Sequence, residues 1–199
     1  MQSLINLIET TKDRIWFTRI ARIQAEKRLL RNELHAQLLL MTYSIYSITL
    51  SVILLKFKII PDDIGTILGI IISITLFGLS FLLNSMGFSA RAQRFKENYI
   101  HLQTLINQLD LALCTTDSDS LKTAIKTTQE QYASAISNCE NHTTTDDYIA
   151  RFLYSNLQTR KLSHGEWSYV IFHTVARLTL LCFLYFLPLF VFSYLILEK

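Results

Sequence analysis

The stretch AQLLLMTYSIYSITLSVILL, residues 36–55, contains no Asp, Glu, Lys or Arg. After the short connection KFKIIPDD, the sequence IGTILGIIISITLFGLSFLLNSMGFSA runs uncharged over residues 64–90. A bilayer core is about 30 Å thick and takes roughly 20 apolar residues as a helix. Both stretches are long enough to cross it. A third, LTLLCFLYFLPLFVFSYLIL, fills residues 178–197. Three such windows in a chain of 199 residues point away from a soluble domain.

Composition agrees. Half of the chain is hydrophobic, and it has only 5 Gly and 2 Pro. Average usage is roughly 7% and 5%, so the residues that punctuate tight turns are scarce. That excludes collagen-like repeats, low-complexity linkers and turn-rich all-β folds, and favours a few long helices. Four of the five glycines (Gly65, Gly69, Gly78 and Gly87) gather on the second window or at its end. The net charge of +3 is not that of a nucleic-acid binder, and three Cys residues are too few for a disulfide framework. MQSLINLIETTKDR has no basic run followed by an apolar one, so no cleavable signal peptide is expected.

The connection between the first two windows is too short for a domain. Pro61 lacks an N–H and stops the first helix. Asp62 or Asp63 caps the second, near its positive end. The two windows therefore form an antiparallel hairpin. Lys12, Arg14, Arg19, Arg22, Lys27, Arg28 and Arg31 precede it; Arg91, Arg94, Lys96, Arg160, Lys161 and Arg177 lie between the second and third windows. The hairpin loop carries only Lys56 and Lys58, and the end only Lys199. By the positive-inside bias the N-terminus is cytoplasmic and the C-terminus outside.

This gives an all-α integral membrane protein in four parts. Residues 1–37 form a cytoplasmic basic amphipathic helix. Residues 38–90 are the transmembrane hairpin, with spans of 38–60 and 64–88. Residues 91–177 are a cytoplasmic helical region, and residues 178–197 a third transmembrane helix. In the first part Ile20, Ile23, Leu30 and Leu34 fall near heptad spacing. After Gly87 the second helix continues without a breaker, with Phe95, Leu102, Ile106, Leu109 and Leu113 as its stripe. The two stripes are expected to pair as an antiparallel coiled coil.

Farther on, Ser118 or Asp119 is the expected cap of a helix carrying Leu121, Ile125, Tyr132 and Ile136, and Thr145 that of the next, which places Tyr148, Phe152 and either Tyr154 or Ser155 near one face. Ser163 and Glu166 make a capping box. Trp167, Tyr169 and Phe172 suit the aromatic belt.

Gly65, Gly69 and Ser73 form a small-xxx-small ladder, which lets helix backbones approach in lipid. Ser80 and Asn84 extend roughly that face. On the first span Ser44, Ser47 and Ser51 lie beside Tyr43. These residues suit helix packing or a hydrated pore face, and neither uncharged window holds an acidic, basic or His side chain of the kind an ion-coupled transporter uses. Pro188 kinks the third span as a hinge or a static bend.

The basic stripe Arg19, Arg22, Lys27, Arg28 and Arg31 sets topology, contacts anionic headgroups, or receives a phosphorylated signal. Direct nucleic-acid binding is not expected. Cys139-x2-His142, even with Cys114 and His101, is one mixed pair, where zinc sites show two clusters. Asn141-His142-Thr143 is a glycosylation sequon on the cytoplasmic side, where it is inert. No catalytic, cofactor-binding or metal-binding residue is assigned, no cofactor is expected, and an enzyme is disfavoured.

KDRIWFTRIARIQAEKRLLRNELHAQLLLMTYSIYSITLSVILL, followed by the hairpin and RAQRFKENYIHLQTLINQL, resembles the SLATT family of bacterial two-transmembrane effectors, and most nearly the subfamily found beside reverse transcriptases. Locally the likeness rests on Trp16, Phe17, Arg19, Arg22, Arg28 and Arg91–Tyr99. The resemblance implies an oligomeric, pore-forming or membrane-permeabilising effector of anti-phage defence. It would act on the lipid bilayer as a homo-oligomer, released by a partner such as a reverse transcriptase or an enzyme that makes a nucleotide signal. The third span departs from the two-span plan. The competing reading is a membrane tether that recruits a cytoplasmic enzyme through residues 91–177.

Overall fold

The computed structural model describes residues 1–57, 62–114, 117–154 and 159–197. Among these residues the fold is all-α, with six helices, α1 (Gln2–Phe57), α2 (Asp62–Ser85), α3 (Phe88–Leu113), α4 (Ser118–Ser137), α5 (Thr144–Leu153) and α6 (His164–Leu197). Three helical stretches, Gln2–Lys56, Gly65–Leu113 and His164–Val191, are long and apolar enough to cross a membrane, and their apolar windows have no buried residues. That is the inverse of a soluble core, and the chain is an all-α membrane protein. Pro61, Lys58, Ser155 and Lys199 lie outside the described residues, as do the side chains of Asp62 and Asp63, on which the expected cap rests.

Helix ends follow local hydrogen bonding. The cap of α4 is Asp117, where Ser118 or Asp119 was expected. Its backbone is still extended, so its carboxylate reaches the amides of Asp119 and Ser120 at 3.4 and 2.9 Å. The cap of α5 is Thr143, not Thr145, because Asp146 three residues on completes a box. Thr143 N–H donates to Asp146 Oδ2 at 2.9 Å, and Asp146 N–H to Thr143 Oγ1 at 3.3 Å. The Ser163–Glu166 box opens α6, with matching bonds of 2.8 and 3.3 Å. The second helix does not continue past Gly87. It ends at Ser85, and Gly87 turns the chain at φ 57, in the left-handed region a glycine enters without penalty.

The chain divides into two compact units. One comprises Met1–Leu30 and Ser89–Val170, the other Arg31–Phe88 and Ile171–Lys199. The first is a helical bundle. Lys12 pairs with Asp110 and Arg22 with Asn98, so α1 and α3 run antiparallel. Thr18 meets Tyr132 and Arg22 meets Ala135, so α4 runs parallel to α1. Arg28 meets Asp146 and Trp16 meets Tyr154, which sets α5 antiparallel to α1. The core holds Ile8, Ile15, Leu102, Leu105, Leu109, Leu121 and Ile125.

Heptad spacing in α1 selects a different face from the expected one. Ile8, Ile15, Arg22 and Leu29 recur every seven residues and are all within 1% of fully buried, with Thr11 and Ala25 beside them. Leu30 and Leu34, expected in the seam, are 45% and 54% exposed. Ile20 is buried and Ile23 half-buried. In α3 Phe95, Leu102, Ile106 and Leu109 are buried as the stripe requires, joined by Leu105.

The second unit contains Arg31–Phe57 of α1, with α2 and the apolar part of α6. Gly65, Gly69, Ile72, Leu76 and Leu83 are half-buried positions of α2, and Gly65, Gly69 and Ile72 border α1 in one cleft. A Cβ on Gly65 would stand 3.5 Å from Leu54 Cδ1, whereas one on Gly69 or Gly78 would meet nothing within 4 Å. The contact at Gly65 is an ordinary van der Waals distance to a side chain, so none of these three glycines marks a close approach of backbones.

Candidate functional site

The ladder residues separate into two sets. Ser47 and Ser51 from α1, with Gly65, Thr66 and Gly69 from α2, line one cleft of about 300 Å³, closed by Leu50, Leu54, Leu55 and Ile72. Ser44, Ser73, Ser80 and Asn84 are exposed and do not line it. Missing side chains at the two glycines leave the space, and hydroxyls give it a polar wall. Several hydroxyls are satisfied within their own helices. Ser51 donates to the Ser47 carbonyl at 2.9 Å, Ser44 to Leu40 at 2.8 Å and Ser73 to Gly69 at 2.8 Å. A helix carbonyl keeps a second lone pair, so these bonds make a serine cheap in lipid.

The third helix is held to the first by polar contacts. Pro188 lies inside α6 and brings no N–H to the carbonyl of Leu184, four residues earlier. Tyr43 Oη donates to that carbonyl at 3.0 Å. Tyr185 Oη and His35 Nδ1 stand 3.3 Å apart, and Arg177 Nη2 donates to Asn32 Oδ1 at 2.8 Å. The group that proline frees is met by the neighbouring helix, as membrane helices require. Sequence reading missed Tyr43 as a partner of Pro188, and only the four-residue offset from Leu184 to Pro188 hinted at an orphan carbonyl.

The five basic residues do not form one surface. Lys27 and Arg31 are exposed. Arg28 turns inward and clamps Asp146 with two parallel bonds, of 2.9 and 3.1 Å. Asp146 is fully buried and belongs to the α5 capping box, so a helix end and an inter-helix ion pair share one carboxylate. Arg22 fills a core position with neutral partners, Asn98 Oδ1 and, at 3.2 Å, the carbonyl of Ala135. Burial pushes its guanidinium below the ordinary value. Arg19 is half-buried, and its Nε and that of Arg22 have no hydrogen-bond partner. Arg22 and Arg28 thus serve the bundle and not a headgroup-facing stripe. The spacing of 8, 15, 22 and 29 was the signal that could have placed Arg22.

Near the same corner, burial lowers the His142 pKa. Cys139 Sγ reaches the Arg94 carbonyl at 3.9 Å, and no group of three or more His, Cys, Asp or Glu that could hold a metal occurs among the described residues. At the start of α6, Arg151 and the Ser163 N–H hold the Glu166 carboxyl down at about 2. Arg151 Nη2 lies 2.8 Å from it and Nε lies 3.0 Å from Asp147.

The SMODS and SLOG-associating 2TM effector domain family 5 matches residues 5–197. The chain belongs to this family. The SLATT resemblance read from the basic helix and hairpin is thereby established at the level of the family. The matched residues include α6, so the third apolar helix lies within the extent of a domain described by two transmembrane segments. No curated protein and no solved structure matches the chain. The chain is a membrane effector domain with three helices able to span.

Proposed function

We propose that this SLATT chain is an oligomeric effector of bacterial anti-phage defence that permeabilises the inner membrane once a cytoplasmic partner or signal activates it. The N-terminus and the α3–α5 region face the cytoplasm, and the C-terminus faces outward, following the excess of Lys and Arg before α2 and between α3 and α6. The partner is a reverse transcriptase or an enzyme that makes a nucleotide signal. The observation that carries the reading is the cleft between α1 and α2. It offers hydroxyls and glycines within apolar helices, and none of its lining residues is ionisable. Such a wall suits a weakly selective path for water and ions and does not suit coupled proton transfer.

The test is membrane potential in cells that carry a voltage-sensitive dye. Activation is expected to collapse the potential, and Gly69→Phe, which fills the cleft, to prevent the collapse while the protein still accumulates in the membrane. A normal potential on activation would refute permeabilisation. The tether reading draws support from the exposed groove of Phe152, Leu153, Tyr154, Leu162 and Trp167 beside Arg151 and Lys161. A tether would keep working with Gly69→Phe.

A further inference from the structure

In the unit of Met1–Leu30 and Ser89–Val170, α5 is held differently from its neighbours. The main core joins α1, α3 and α4 through Ile8, Ile15, Leu102, Leu109, Leu121 and Ile125, and α5 contributes no residue to it. The buried residues of α5 are Asp146 and Ala150, and Ala150 sits in a separate small cluster with Phe17 and Ile20. Phe152, Leu153 and Tyr154, at its end, are exposed.

Polar and ring-edge contacts fix α5 to α1. Arg28 clamps Asp146 at the start of α5, and Trp16 meets Tyr154 edge-on at its end, with ring centres 5.5 Å apart. Farther on, Thr159 donates to Asp13 at 3.0 Å. Arg160 lies 3.7 Å from the same carboxylate and 4.5 Å from the centre of the Phe17 ring. It is held there at φ 52, in the left-handed region that a Cβ makes costly. Charged and hydroxyl groups regain water when such contacts part, whereas parting an apolar core has no such return. Elements with few buried apolar contacts are the ones that open first.

The fastenings between α5 and the first turns of α6 are closer. Arg151 Nη2 meets Glu166 at 2.8 Å, Tyr148 and Tyr169 stand edge to face at 5.8 Å, and the hydroxyls of Thr145 and Tyr169 are 3.4 Å apart. The Thr143–Asp146 box and the Arg151–Asp147 pair are internal to α5 and its cap, so they survive its detachment from α1. From these turns α6 runs without a break into the third apolar helix.

We propose that α5 and the first turns of α6 are a strap. It parts from α1 as one body while α1, α3 and α4 stay packed, and its closed state keeps the effector silent. Because α6 is continuous, motion of the strap is motion of one end of the third apolar helix. The silencing role rests on the permeabilising reading above; the separate release of α5 does not.

The experiment is native-state hydrogen exchange of the full chain in detergent micelles. Amides of Ala150 and Phe152 in α5, and of Tyr169 and Val170 in α6, are expected to exchange together, about tenfold or more faster than those of Leu105, Leu109 and Ile125. Arg28→Met strands Asp146 in the closed strap alone, and should speed the first set by about a hundredfold without moving the second. Asp13→Ala removes a half-exposed pair and should speed the same set by up to about fivefold, which remains readable if Arg28→Met does not fold. One common rate for all these amides, or equal acceleration of both sets, would overturn the strap. Acceleration of α5 without α6 would overturn its moving as one body. In cells that carry a voltage-sensitive dye, Arg28→Met, present in the membrane at the usual level, is expected to lower the potential before activation. A normal potential until activation would overturn the silencing role and leave permeabilisation standing. A normal potential after activation as well would remove both, while exchange still decides the strap.

Discussion

Replacing Tyr43 by phenylalanine removes one oxygen and strands one carbonyl. Leu184 has no helical donor because Pro188 stands four residues on, and Tyr43 Oη supplies the missing bond at 3.0 Å. In apolar surroundings water does not replace it. A buried acceptor left unpaired costs about 1–3 kcal/mol. Polar pairs between membrane helices average about 0.6 kcal/mol and reach about 1.7. The two ranges overlap near 1–1.7 kcal/mol, and Tyr43→Phe is expected to lose about that much. For a chain of this size each kcal/mol moves the unfolding midpoint by about 2–4 °C, so the loss reads as about 2–7 °C. The assay is thermal unfolding of the full chain in detergent micelles, followed by circular dichroism. The deciding arm repeats the substitution in a Pro188→Ala background. There the alanine N–H closes the helix bond to Leu184, and Tyr43→Phe should cost less than about 0.5 kcal/mol, the usual limit for uncoupled sites. Equal losses in both backgrounds would refute the pairing of the hydroxyl with the carbonyl that proline frees.

Arg28→Met leaves the buried Asp146 carboxylate with only its Thr143 donors, and should cost about 3–5 kcal/mol. A loss below about 1 kcal/mol, the value of an exposed pair, would contradict the clamp in the same unfolding assay. Arg22→Met strands Asn98 Oδ1, although Asn98 Nδ2 still serves the Ala135 carbonyl, and should cost about 1–3 kcal/mol; an unchanged midpoint would contradict that bond. Glu166 has its folded pKa depressed from 4.5 to about 2, so its stabilisation is present above the unfolded value and is lost as pH falls toward about 2. Glu166→Gln should remove that part of the pH dependence, and melts of both proteins across that window decide it.

Hydropathy and helix punctuation are local properties. The three uncharged windows, the all-α class, the α3 stripe of Phe95, Leu102, Ile106 and Leu109, and the Ser163–Glu166 box could therefore be read directly. Caps at Asp117 and Thr143 were missed by one or two residues, since several neighbouring side chains were chemically able to cap and backbone geometry chose among them. Only part of the candidate site was visible. Small and hydroxyl residues drew attention to α1 and α2, but the rotation of α1 against α2 decided that Ser47, Ser51, Gly65 and Gly69 share a cleft and that Ser80 and Asn84 do not.

Which segments leave water follows from composition along the chain, because transfer of apolar surface is a local property. The pairing of distant side chains follows instead from how the helices pack. Arg28 finds Asp146 across 118 positions, and Tyr43 finds Leu184 across 141. Arg22 takes a core position that its charge argues against, because Ile8, Ile15 and Leu29 hold that face of α1 inward and the arginine between them turns with it. A helix can bury only one face at a time, and packing against α2 and α6 left Leu38, Ile45 and Val52 of α1 outside.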